Sequence, residues 1–271
     1  MKHSRASGAG ALALLLFAFP LASPAAAQEK TIRMDPLLDG IALGVGGSAA
    51  FATWLFTGSE TTTRPTADRS KLPAIDAAAI FPLDQGLSDI SLGLALGAIA
   101  APASLALVAE RDEILPAALA CAEALAFTYA AKDLAKIAFP KARPYVYGDA
   151  ALEGEDLAEA LESFPSGHTA LAFCSAAYLA TVALGIARDR PATLWLVAGS
   201  CGLALGTGVL RVLSGKHFPT DAAAGAAIGS GIGWLAARAH LAECDGASTS
   251  TSRKGLGLGI APTAVIATIR M

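Results

Sequence analysis

Charge is scarce in this chain. Charged residues make up 16% of its 271 positions, aromatic residues 6%, and the formal net charge is only -3. With both signs mixed and no basic stripe, the sequence argues against nucleic acid as a partner. The four cysteines, Cys121, Cys174, Cys201 and Cys244, are scattered without a CxxC pair or finger spacing. That excludes a disulfide framework or a zinc finger and leaves buried free thiols as the expectation. The acidic residues nowhere follow the Asp/Asn-Gly order of a calcium loop, so no metal and no other cofactor is expected. Hydrocarbon is what the chain has in abundance. Hydrophobic residues reach 54% and the mean hydropathy is +0.52, high for a soluble protein, which points to a helical membrane bundle.

Read in order, residues 1–27 carry Lys2, His3 and Arg5, an apolar core, Pro20 and a small-residue end at Ala25-Ala26-Ala27. This is the tripartite pattern of a secretory signal cut before Gln28, with an uncleaved first membrane helix as the alternative. Residues 28–242 read as one helical membrane domain, and 243–271 as a low-complexity linker and tail whose alternation fits a small β-hairpin. Six helices are expected: Leu37 to Thr57, Ile90 to Ala109, Pro116 to Phe139, Ser166 or Gly167 to Ala187, Ala192 to Leu213 and Thr220 to His240. The first is the weakest span, interrupted by Asp39. Gly58 to Asp89 is polar and turn-rich and reads as a loop. Glycines four apart, Gly202 with Gly206 and Gly225 with Gly229 and Gly233, suit close helix approach in lipid.

Three polar islands interrupt the apolar pattern. Lys136, Arg143 and Pro144 lie at the end of the third helix, and Pro165-Ser166-Gly167-His168 opens the fourth. The third island is Arg211, His217, Pro219 and Asp221, between the fifth and sixth helices. Groups of this kind are expensive beside hydrocarbon unless they act together. Pro219 breaks the helix and restarts it in a first turn, leaving His217 just before the start with Asp221 within one turn, near enough to hold the imidazole by a hydrogen bond. Lys136, Arg143 and Arg211 supply three cations, two of them guanidinium forks, and Ser166 and Gly167 offer a hydroxyl and free N–H groups at a helix start. Such a set suits a phosphate, whose transfer needs positioning and charge neutralisation. Of the remaining basic and acidic groups, Lys132 shares a face with Lys136 and reads as a solvated helix-end residue, as does His240. The acidic stretch Gly148 to Ser163 reads as a wet face, with a lid over the cationic site as the alternative.

These three islands, in this order and at this spacing, resemble the type 2 phosphatidic acid phosphatase (PAP2) superfamily, with Leu210 standing where many members carry serine. The resemblance implies a phosphatase acting through a phosphohistidine: His217 as nucleophile, Asp221 orienting it, His168 protonating the leaving oxygen and then activating water. Lys136, Arg143, Ser166, Gly167 and Arg211 would bind the phosphate, with no metal. Together with the apolar spans it implies an integral protein of the bacterial inner membrane acting on a lipid phosphate or diphosphate. Loop charges leave the side of the site unsettled, and a periplasmic face follows if Leu37 to Thr57 does not cross. A soluble exported acid phosphatase of the same superfamily, a vanadium haloperoxidase, and a transporter or structural membrane protein are the competing readings.

Overall fold

A computed structural model of the chain describes residues 30–56, 65, 67–148 and 157–243. The expected signal segment, the expected linker and tail, Cys244 and part of the acidic stretch lie outside these residues. Within them are seven α-helices: α1 Pro36–Phe56, α2 Ala74–Ala77, α3 Gln85–Ala100, α4 Arg111–Ala138, α5 Gly167–Ile186, α6 Pro191–Leu213 and α7 Pro219–His240. Five of the long ones, α1 and α3 to α6, are long and apolar enough to cross a membrane, α3 together with the 3-10 turn that continues it to Leu107. A short strand β1, Lys30–Ile32, pairs antiparallel with β2, Leu241–Glu243, so the beginning of the described chain is tied to the end of α7. The only β-sheet among the described residues is therefore this clasp.

Local chemistry sets most helix ends. α3 starts five residues before the apolar run suggests, because Asp84 accepts from Leu87 N at 3.0 Å as an N-cap. α4 likewise begins at Arg111, ahead of Pro116, because the Glu113 carboxylate returns to Glu110 N at 3.2 Å. Pro116 is carried inside the helix, early enough that it removes one backbone hydrogen bond without breaking the rod. α7 opens with Pro219 in its first position, as the sequence requires.

The bundle is organised about α5, whose most apolar window is 72% buried, against 6% for α1. Around it stand α3, α4, α6 and α7. α7 runs parallel to α5 at very short range: a Cβ on Gly225, Gly229 or Gly233 would overlap the carbonyl oxygens of Ser166, Ala170 and Cys174 respectively. The three-glycine stripe thus lays one backbone on the other, and the register sets Ser166 beside the first turn of α7. α7, rich in glycine and alanine, is not among the five apolar spans, yet it follows α5 along its length. α3 and α6 pack antiparallel through Gly97 against Leu203 and Gly206 against Leu94. Cys121 and Cys174 are buried free thiols and Cys201 is a partly exposed one.

This arrangement gathers the start of α3, the end of α4, the start of α5, the end of α6 and the start of α7 at one end of the bundle. The clasp lies at the other. Large apolar side chains face outward, including Leu37 at 71%, Trp54 at 55% and Trp195 at 79% exposure, as expected where lipid replaces water. α1 is a full 21 residues long and lies along α4. With α1 counted as a span, the motif-bearing end lies on the side opposite β1.

Replacing Gly229 by alanine is expected to lower stability in detergent by about 1–3 kcal/mol, the usual effect of overpacking a close contact. Gly231→Ala, where nothing lies within 4 Å of the added methyl, is expected to be neutral or slightly stabilising. Equal melting temperatures for the two variants would show that the stripe does not dock α7.

Candidate active site

Each motif residue owes its place to a helix end. α6 delivers Arg211 in its last turn, and the chain then turns through Gly215, whose φ of 72° suits glycine. His217 follows, 2% exposed, immediately ahead of α7. Its Nδ1 lies 2.7 Å from the Ser163 carbonyl oxygen and its Nε2 3.4 Å from Arg211 Nη2. A carbonyl can only accept, so Nδ1 carries the proton and the neutral ring presents the Nε2 lone pair toward Arg211. Burial, and then the charges of Arg211, Arg143 and Lys136, push this imidazole well below its ordinary range, outweighing the Ser163 carbonyl, which favours the charged form.

Asp221 does not hold that ring. Its carboxylate accepts from Ser163 Oγ at 2.5 Å, Lys141 Nζ at 2.7 Å and Phe218 N at 3.0 Å. The expected carboxylate contact to His217 is replaced by a relay: Asp221 holds Ser163 by its hydroxyl, and the Ser163 carbonyl holds the imidazole. Asp221 at the third position of α7 also caps the helix by accepting from Phe218 N, which turns its oxygens away from His217. Beneath it, Lys141 reaches Asp76 at 2.9 Å and Thr220 Oγ1 at 3.1 Å, and Thr220 in turn donates to Asp76 at 2.6 Å. Burial alone would lower the Lys141 ammonium, but Asp221 and Asp76 outweigh it and hold the group above the ordinary lysine range. Asp76, Lys141 and Ser163 were not singled out in the sequence. Asp76 lies in a segment that reads as surface loop, and Lys141 sits between two prolines.

The cations converge on His168. Arg211, Lys136, Arg143 and Lys132 all lie near enough to act electrostatically on its ring, and among the described residues the ring has no hydrogen-bond partner. Arg143 is 2% and Arg211 4% exposed. Arg211 Nη1 donates to Ser88 Oγ at 3.1 Å, and Arg143 Nη2 to Glu159 at 2.8 Å. Among the described residues, Arg143 Nε and Nη1 and Arg211 Nε are buried donors without a partner. Buried guanidinium N–H groups are rarely left so unless something else accepts from them.

Lys132, read from the sequence as a solvated residue, is 7% exposed and belongs to this end of the bundle. It pairs with Asp133 at 2.5 Å and lies 3.6 Å over the Tyr129 ring. Its stem fills the space a Cβ on Gly167 would need, 2.9 Å away, so a side chain there would push the lysine aside. Spacing from Lys136 already placed the two on one face, which was the available signal. The Ser166 hydroxyl shares a hydrogen bond with Thr169 Oγ1 at 2.8 Å. Ser166 caps α5, so the first N–H groups of that helix lack intrahelical acceptors. Lys136 pairs with Glu162 at 3.0 Å. The described part of the acidic stretch thus supplies two carboxylates, Glu159 and Glu162, to the cations Arg143 and Lys136, where a wet face was the first reading. His240 is buried too, at 8% exposure, far from these residues.

Buried cations without full partners around two imidazoles, at one end of an apolar bundle, define an anion-handling site. The PAP2 superfamily profile matches residues 117–243, the stretch that holds all three motifs. That match supports a phosphatase, a phosphoric ester hydrolase in general terms. Neither a curated protein nor a solved structure matches the chain.

The His217 ring is expected to stay neutral, with the proton on Nδ1, as pH falls from about 8 to about 5.5, through the ordinary imidazole value of about 6.5. The unfolded chain takes up that proton, so stability from this group is present above about pH 6.5 and is lost as pH falls toward the folded value. Nitrogen-15 chemical shifts of labelled histidine, assigned with a His217→Gln variant, report it. An imidazolium at His217 near pH 6.5 in the folded, ligand-free protein would contradict the assignment.

Proposed function

We propose that the protein is a membrane-embedded phosphatase that removes phosphate from a lipid phosphate monoester or diphosphate through a phosphohistidine intermediate. The observation that carries this reading is the set of unpartnered buried N–H donors on Arg143 and Arg211 beside the His217 Nε2 lone pair, which faces Arg211. A phosphoryl group supplies several acceptor oxygens and about two negative charges. Those oxygens satisfy the guanidinium forks and lie within reach of Lys136, Lys132 and the first N–H groups of α5.

In the first step His217 Nε2 attacks phosphorus. An N–P bond forms, the P–O bond to the lipid breaks, and His168 gives its proton to the departing oxygen. In the second, His168 takes a proton from water, whose oxygen attacks phosphorus; the N–P bond breaks and inorganic phosphate leaves. The Ser163 carbonyl keeps Nδ1 protonated and so stabilises the charge the ring acquires in between. Asp221 is the positioning residue behind Ser163. Glu159 and Glu162 occupy Arg143 and Lys136 before substrate arrives, and the substrate's phosphate displaces them.

A lipid rather than a soluble ester is favoured by what adjoins the pocket. An apolar groove of about 530 Å³ is lined by Phe51, Trp54, Leu125, Ala126, Tyr129 and Leu171. Leu171 is one turn of α5 beyond His168, and Tyr129 underlies Lys132. An acyl or prenyl chain suits that groove while its headgroup sits among the cations.

The test is phosphate release by the detergent-solubilised full chain from phosphatidate, phosphatidylglycerophosphate, undecaprenyl diphosphate, lipid A and a short water-soluble monoester. At least one lipid is expected to be turned over faster than the soluble ester. His168→Ala is expected to lose about 10²–10⁴-fold, and His217→Ala all release above background. Preference for the soluble ester, with release of the protein from membranes by carbonate, would instead support a soluble acid phosphatase. Retained activity in His217→Ala would end the phosphohistidine reading.

A further inference from the structure

At the end of the bundle remote from the motifs, three elements bring together Asp39 of α1, Glu123 of α4 and His240 of α7. One helix of 22 residues, roughly 31 Å at 1.5 Å per residue, separates this cluster from the start of α7. One ligand-type atom from each of the three lies within 4.8 Å of the other two. His240 Nδ1 donates to the Ala236 carbonyl at 2.8 Å, which leaves the Nε2 lone pair directed at the two carboxylates. Nε2 is 3.3 Å from Asp39 Oδ1 and 3.6 Å from Glu123 Oε2. The other Asp39 oxygen is held by Asp35 N at 2.7 Å. Glu123 is 5% exposed, and among the described residues its Oε1 is buried without a hydrogen-bond partner.

A lone pair facing two carboxylates is repulsive unless a positive charge lies between them. A proton would draw the groups into charge-assisted hydrogen bonds of about 2.7–2.9 Å, and the observed separations are longer. The two separations from the imidazole are close to two edges of a tetrahedron around zinc: metal–nitrogen and metal–oxygen distances of about 2.0–2.2 Å place neighbouring ligand atoms about 3.3–3.5 Å apart. The hydrogen bond from Nδ1 to a backbone carbonyl is the outer contact that orients a metal-binding imidazole, and the Asp35 N–H does the same for Asp39. An imidazole with two carboxylates suits zinc better than magnesium or calcium, which favour oxygen alone.

We propose that Asp39, Glu123 and His240 form a zinc-type divalent cation site, with its fourth position left to water. The ion ties α1, the least buried helix, to α4 and to the end of α7 beside the β1–β2 clasp. Glu123, a buried carboxylate within an apolar helix, thereby gains a compensating positive charge.

The metal-stripped full chain in detergent is titrated with Zn²⁺ alone against a chromogenic chelator, and X-ray absorption is recorded on the loaded protein. The wild type is expected to take up one ion per chain at this site, bound by one imidazole nitrogen and carboxylate oxygens, and to melt at a higher temperature when loaded. Glu123→Gln and His240→Gln, which preserve side-chain size, are each expected to weaken uptake at least about 100-fold, beyond the effect of losing an outer contact. The absorption spectrum of the wild type decides the matter even if a variant does not fold. Absence of stoichiometric uptake would identify the cluster as an imidazolium between two carboxylates and overturn the proposal. Uptake undiminished in both variants would overturn it as well.

Discussion

His217 donates its Nδ1–H to the Ser163 carbonyl at 2.7 Å, and the chemistry of the motif-bearing end follows from that bond. It selects the tautomer, leaves the Nε2 lone pair facing Arg211, and fixes the ring plane with a group that cannot itself be protonated in the working range. Ser163 is held in turn by Asp221, and Asp221 by Lys141 and the start of α7. Asp76, drawn from 65 residues before Lys141 in the chain, completes that cluster. A backbone carbonyl orients as well as a carboxylate would. It adds no full negative charge, so the ring remains neutral among its cations.

The packing explains why such a polar assembly survives in an apolar bundle. The glycine stripe of α7 lies on the backbone of α5, and that contact sets Ser166 against the start of α7, with Ser166 N donating to the Asp221 carbonyl at 3.0 Å. Two motifs far apart in sequence are thus joined by main-chain hydrogen bonding as well as by side chains. The guanidinium groups of Arg143, in the connection after α4, and Arg211, in the last turn of α6, are both buried, and their unsatisfied donors are suited to an anion.

The five long apolar rods and the order of the motifs were legible because hydropathy and proline positions act locally. Proline at 219 set a helix start that no tertiary contact had to decide. Cap chemistry at Asp84 and Glu113 moved two helix starts by five residues, since apolar periodicity does not register polar first turns. The phosphate-type residues could be named because their types and spacing constrain them together. The partners could not. Ser163 acts through its carbonyl, which has no sequence signature, and Lys141 and Asp76 meet only once the chain has folded. Lys132 was undervalued because burial by Gly167 is a contact between two helices. The same blindness hid His240, which terminates a helix and would be solvated were it not for α1 and α4.

Phosphoryl transfer through His217 is tested most directly by rapid acid-free quenching of the full chain with radiolabelled lipid phosphate, followed by mapping of the labelled site. The account predicts an acid-labile phosphoryl group on His217 Nε2 that accumulates when His168 is replaced by asparagine and is missing when His217 is. Label on any other residue, or steady turnover with no label in the His168→Asn variant, would contradict it.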